Sequence, residues 1–235
     1  MKKVVLLISV FFLIVTMAPS ACLATQETRT ALVIGNSSYT DAPLRNPVND
    51  ATDMASALKK LGFSVTLKTN AIQRAMEEAI RGFGTTLRSG GVGLFYFAGH
   101  GLQYRGTNYL IPVHAEIKSE SDVKFEAVDA GRVLAQMEDA GNNLNIIILD
   151  ACRNNPFVRS FRSSEQGLAR MDAPTGSILA YSTAPGSVAA DGTGKNGLYT
   201  EKLLREMMKP GLDLNHLFMN VRKDDSGRDQ ASSFL

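Results

Sequence analysis

Two residues of this chain, Cys152 and His100, have types that could do chemistry together. A thiol near neutral pH is mostly protonated, and it becomes a good nucleophile when a neighbouring imidazole takes its proton or stabilises the thiolate. His100 stands between Gly99 and Gly101, and glycine permits unusual backbone angles and a close approach by a substrate chain. The amide N–H groups of Gly101 and of Cys152 itself are candidates to face a carbonyl oxygen under attack. Such donors are worth roughly 3 to 4 kcal/mol of barrier in serine peptidases. A nucleophile, a base and an oxyanion hole make an acyl-transfer site. The other histidines are weaker candidates: His114 follows Ile111-Pro112-Val113 and reads as a turn residue, and His216 lies in a late helical pattern on a solvated or packed face.

The cysteine count sharpens the case for Cys152. The chain has 2 cysteines, Cys22 and Cys152. Lys2 and Lys3 precede an apolar stretch over residues 4–18, which Pro19 and Ser20 break before small residues run through Ala24. The stretch is short for a membrane-spanning helix, and the pattern reads as a signal peptide over residues 1–24, cleaved after Ala24. An uncleaved anchor, or a lipid on Cys22, is the alternative. Once the leader leaves, Cys152 has no partner for an intramolecular disulfide, and a lone thiol in an exported protein is a candidate reactive group. The competing reading is a small buried hydrophobe, as most free cysteines are. The protein is expected to be periplasmic or secreted.

The remaining 25–235 is long enough for one α/β domain with a sizeable core. Hydrophobic residues make up 44% and charged residues 20%, and the net charge of +2 carries no argument for nucleic acid or an anionic membrane. Apolar runs at 31–35, 63–67, 92–98, 144–149 and 178–181 read as strands. Helical patterns fall between and after them: one capped by Asn49 and ended by Gly62, then 71–87, 133–137, 197–208 and 212–221. Alternating strands and helices predict a mostly parallel sheet covered on both faces, with ligands outside the carboxyl ends of its strands. His100 follows the third strand and Cys152 the fourth, so the thiol and the imidazole fall at one edge of one sheet.

The chain from about Arg29 to Val221 resembles the caspase-like cysteine peptidases, most of all bacterial caspase-domain proteins and metacaspases. The residues that carry the likeness are 31–36, 44–51, Tyr96-Phe97-Ala98-Gly99-His100-Gly101, 109–112, Ile148-Leu149-Asp150-Ala151-Cys152-Arg153-Asn154 and 181–186. The order of the two blocks, and a spacing of about 50 residues, agree with the caspase signature. The resemblance implies a three-layer α/β/α sandwich around a mostly parallel sheet, with a His100–Cys152 dyad that needs no third member.

The resemblance also bears on specificity. In caspases the pocket for the residue before the cut is basic and accepts aspartate; here Asp150 stands where one contributor is glutamine, and Ala189-Ala190-Asp191 where another is arginine. Metacaspases carry acids there, and the resemblance matches them to Asp50 and Asp150. Two carboxylates should hold a cation, Arg bidentately or Lys as a point charge, which implies cleavage of a protein or peptide after Arg or Lys. The plainer readings are Asp50 in a helix first turn, Asp191 in a turn before Gly192, and Asp150 paired with Arg153. The segment 157–174, with Arg159, Arg162 and Arg170, reads as an exposed loop; its counterpart in caspases is cut during maturation.

No cofactor is expected: Asp224, Asp225 and Asp229 lack the spacing of an EF-hand, and no zinc-type Cys/His cluster exists, so neither calcium nor another metal is predicted. Relatives continue into a further strand with a Trp-bearing tail, whereas this chain has 0 Trp, and its last strand is expected to be missing. A catalytically silent caspase-like binding domain is the alternative function, and a different thiol acyltransferase or amidase a third.

Overall fold

The structure, a computed structural model, describes residues 27–88, 90–151, 167–183 and 194–225, the side chains of 223–225 excepted. Cys22, Cys152, Arg153, Arg159, Arg162, Asp191 and Asp229 lie outside the described residues, as does the expected leader over 1–24.

Five parallel strands form the central sheet in the order β2-β1-β3-β7-β8. They are β1 (Arg29–Gly35), β2 (Ser64–Thr69), β3 (Val92–Ala98), β7 (Leu144–Asp150) and β8 (Ser177–Tyr181). Central β3, Val-Gly-Leu-Phe-Tyr-Phe-Ala, is buried along its whole length, as a near-continuous apolar run must be when helices cover both faces of a parallel sheet. Side chains alternate between the faces. Leu32, Ile34, Phe95, Phe97, Ile147 and Leu149 pack under α2 (Gln73–Leu87) and α4 (Gly131–Ala140). Ala31, Val33, Leu94, Tyr96, Ile146 and Ile148 pack under α1 (Pro47–Lys60), α5 (Leu198–Met207) and α6 (Leu214–Asp225). The three layers expected from the sequence are therefore present, and every strand pairing in the described sheet is parallel.

The start of α1 corrects the expected cap. The helix begins at Pro47, with Asn46 at the cap position and no side-chain cap bond. Proline suits the first helical position because its missing N–H would have no partner there. Asn49 sits inside the first turn and instead donates to the carbonyl of Lys195 at 3.1 Å. Gly35 leaves room for this packing: a Cβ there would stand 2.3 Å from the Pro47 carbonyl oxygen.

A second, antiparallel sheet was not foreseen. β4 (Gly101–Tyr104), β5 (Thr107–Leu110) and β6 (Val128–Asp129) form it, with the short helix α3 (Val123–Glu126) leading into β6. The strands are brief and mix apolar with polar residues, with no apolar run to announce them. The turn joining β4 to β5 is Arg105-Gly106, both at positive φ (52° and 77°), where the recognisable signal would have been Asn-Gly or Asp-Gly. No described helix is long and apolar enough to cross a membrane.

From β1 the chain passes outward to β2, then returns to place β3 on the other side of β1. The carboxyl ends of β1 and β3 therefore flank a topological switch point, the place where such sheets bind ligands.

Candidate active site

His100 sits at this switch point, between the end of β3 and the start of β4. Its backbone is held on both sides: the amide N–H donates to Tyr39 Oη at 3.0 Å, and the carbonyl accepts from Ile111 N at 3.0 Å. Tyr39 Oη in turn donates to the Ile111 carbonyl at 3.1 Å. The Tyr39 ring lies against the imidazole, with centroids 4.4 Å apart and planes tilted by 57°. The residue is 3% exposed.

The imidazole makes its own bond to the loop after β1. Its Nε2 is 2.7 Å from the carbonyl oxygen of Ala42. A carbonyl only accepts, so Nε2 carries the hydrogen, and in the neutral ring the basic lone pair then belongs to Nδ1. The Ala42 carbonyl thus orients the imidazole as an Asp or Asn side chain does in catalytic triads. Sequence reasoning found no such partner, since any residue at position 42 offers the same oxygen. A shallow pocket beside the ring is lined by Tyr39, Ala42, Ile111, Pro112 and the exposed His114. His114 has φ +65° and lies in a turn, as its sequence position suggested. His216 stands far along the chain, at the first turn of α6, where Nδ1 meets Asp213 Oδ2 at 2.6 Å. Asp213 caps that turn by accepting the His216 amide, and these two bonds hold its carboxyl below the usual carboxylate range.

Gly101 opens β4 opposite Leu110. The bond from Ile111 N to the His100 carbonyl makes this a non-hydrogen-bonded pair, so the Gly101 amide is not engaged by β5. A Cβ on Gly101 would stand 2.9 Å from both the Cβ and the carbonyl oxygen of Ala151. The His100–Gly101 backbone therefore lies directly against the residue preceding Cys152. Gly99 adds a bond from its amide to the Asp150 carbonyl at 3.3 Å. Cys152 itself is outside the described residues; the described chain brings its immediate neighbour to Gly101.

Asp50 and Asp150 are buried, at 0% and 1% exposure. Both are tied to the first turn of α5. Asp50 Oδ1 accepts the amide of Gly197 at 2.8 Å, and Asp150 Oδ2 accepts the hydroxyl of Thr200 at 2.8 Å. Thr200 Oγ1 also lies 2.5 Å from Tyr96 Oη. Asp50 does stand in the first turn of α1, as its plainer reading held, and it additionally reaches the start of α5. Asp53, one turn further along α1, pairs with Lys195 at 2.7 Å. Asp191 is outside the described residues.

The expected exposed loop over 157–174 needs correction in its described part. Leu168 is buried against the core. Asn108, itself buried, grips Ala169 from both sides, accepting from its amide and donating to its carbonyl, each at 2.7 Å. The amide of Met171 donates to Tyr181 Oη at 3.1 Å. Arg170 projects to solvent from a chain that is docked around it. Sequence reasoning weighed the polar and basic residues here and missed the apolar anchors, Leu168 and the partly buried Met171.

The caspase domain family model matches residues 28–232. Among curated proteins, the human "Mucosa-associated lymphoid tissue lymphoma translocation protein 1" is 27% identical over 162 residues, which cover 68% of this chain and 19% of that protein. The mouse homolog is 28% identical over 162 residues, with the same coverage of 68% and 19%. The chain thus spans less than a fifth of the length of these curated relatives.

Proposed function

Because the chain belongs to the caspase domain family of peptidases, we propose that it is a cysteine endopeptidase in which Cys152 is the nucleophile and His100 its base, cutting after Arg or Lys. The observation that carries this is the bond from His100 Nε2 to the Ala42 carbonyl, which leaves Nδ1 as the basic nitrogen, together with the seat of Gly101 against Ala151.

In this reading Nδ1 takes the Cys152 proton as the sulfur attacks the scissile carbonyl. The oxyanion is received by the Gly101 and Cys152 amides. The imidazolium then gives its proton to the leaving amine, the C–N bond breaks, and a thioester remains. Water, deprotonated by His100, attacks that thioester; the carboxylic product departs and the thiol is restored. The Ala42 carbonyl holds the ring in one tautomer throughout and accepts a stronger bond when the ring is charged.

The preference for a cation rests on Asp50 and Asp150, with Asp191 assigned to the same pocket from its sequence position. Carboxylates this deeply buried are costly unless a positive partner or several donors compensate them. The amide of Gly197 and the hydroxyl of Thr200 are among the groups that compensate them, and the guanidinium or ammonium of a substrate would be a charged partner beside these. The substrate is a protein or peptide, no cofactor takes part, and the leader over 1–24 assigns the enzyme to an exported, periplasmic or secreted setting.

The test is hydrolysis of a peptide amide ending in Arg by the mature protein and by Cys152→Ala. Turnover that vanishes in the variant is expected. No turnover of Arg, Lys or Asp peptides, with or without added calcium, would favour a catalytically silent binding domain instead.

A further inference from the structure

We propose that Thr200, backed by Tyr96, is the positioning residue that aims Asp150 at the substrate cation. The proposal rests on the reading of Asp150 as a wall of the cation pocket. It begins with hydrogen-bond direction. An ionised carboxylate only accepts, so the 2.8 Å bond between Thr200 Oγ1 and Asp150 Oδ2 uses the threonine hydrogen. The threonine oxygen is then the acceptor in its 2.5 Å contact with Tyr96, and the phenol is the donor. Tyr96, Thr200 and Asp150 form a polarised chain running from the middle of β3, through the first turn of α5, to the end of β7. Tyr96 and Thr200 are both fully buried.

Each member constrains the next. A threonine in a helix commonly turns its hydroxyl back to the carbonyl four residues before; this one spends it on Asp150. A buried tyrosine hydroxyl needs a partner, and Thr200 is where Tyr96 finds one. Asp50 is fixed from the same helical turn, by the amide of Gly197. The first turn of α5 therefore sets the separation of two carboxylates that come from different elements, α1 and β7. A guanidinium bridging two acids needs this spacing; a group without charge does not.

A purely structural Thr200, present only to satisfy Tyr96, would affect stability alike for all ligands. The experiment therefore reads selectivity. Binding of two hexapeptide amides, one ending in arginine and one in uncharged citrulline, is measured by calorimetry on Cys152→Ala protein. The Arg peptide is expected to bind more tightly. Adding Thr200→Val should cut the Arg-over-citrulline ratio by about tenfold, the scale of a hydrogen bond to a charged group, and Thr200→Ser should restore it. In the active enzyme the same substitution should raise KM for Arg peptides and leave kcat nearly unchanged. An unchanged ratio in Thr200→Val overturns the proposal and leaves the cation pocket standing. If Cys152→Ala prefers neither peptide, the pocket reading falls and this proposal falls with it. Should Thr200→Val not fold, Tyr96→Phe keeps the threonine and removes its donor: a loss of about threefold in the ratio is expected, and no change overturns the proposal.

Discussion

Nε2 of His100 lies 2.7 Å from the carbonyl oxygen of Ala42, 58 residues earlier in the chain. The imidazole and the carbonyl that orients it thus come from the loops after β3 and β1, which meet only because those strands are neighbours in the sheet. Replacing the ring by His100→Gln should lower kcat by roughly 10²- to 10⁴-fold, the usual contribution of a positioned base. Circular dichroism should show the fold intact.

Tyr39→Phe tests the support beneath that ring. It removes the oxygen that accepts the His100 amide and donates to Ile111, while keeping the ring contact. A buried N–H left without its acceptor costs about 1 to 3 kcal/mol. We expect lower stability by chemical denaturation, and a kcat reduced more than KM is raised. Equal stability of variant and parent would contradict the geometry.

Gly101→Ala should be more damaging to turnover than its size suggests. The new Cβ would stand 2.9 Å from Ala151, including its carbonyl oxygen, so the backbone must give way. Overpacking of this kind costs about 1 to 3 kcal/mol. In the proposed role of Gly101 as an oxyanion donor, its displacement costs roughly 10²- to 10³-fold in kcat. A melting curve and a progress curve on the same sample separate the two effects.

Asn108→Ala should free the docked stretch around Arg170. The variant loses both bonds to Ala169, and leaving these backbone groups unsatisfied should destabilise the protein by about 1 to 3 kcal/mol each at most. In the parent, trypsin should cut slowly after Arg170 despite its exposure; in the variant, mass spectrometry should find that cut early. Equal rates in the two would mean that the Asn108 clamp does not protect this bond.

Asp213 gives a pH dependence of known sign. Its carboxyl is held below the usual range, first by the His216 amide and then by the His216 ring. The stabilisation is therefore present above the ordinary carboxylate pKa and is lost as pH falls through the lowered value. Protection of the α6 first-turn amides, measured as exchange relative to an unstructured peptide at the same pH, should fall across that acidic window. Asp213→Ala should show low protection at every pH, with no further loss across the acidic window.

What could be read from sequence follows from how each element earns its burial. β3 was legible to the residue because a strand covered on both faces is apolar from end to end. α2 and α4 were legible in part, through the spacing of Met76, Ile80, Phe83 and Leu87 and of Val133 and Met137. The hairpin of β4 and β5 was not, since its pairing lies in backbone bonds and its turn uses Arg105 where Asn or Asp would have signalled. The seat of His100 and of Gly101 beside Ala151 followed from placing motifs at strand ends. The grip on Asp50 and Asp150 did not, because Gly197 contributes an amide and Thr200 is an ordinary helix residue until the fold brings Asp150 to it.

The oxygen that orients His100 belongs to the main chain, so no codon encodes it. Any substitution at position 42 retains it, and only a change that rotates the peptide plane removes it. Pro43 restricts the backbone of the residue before it and helps keep that plane in place. A saturation scan should then tolerate many side chains at 42 and few at 100 or 152. Counting the groups that hold the imidazole from such a scan would come up one short, and an inactive variant with both His100 and Cys152 intact would point first to position 43.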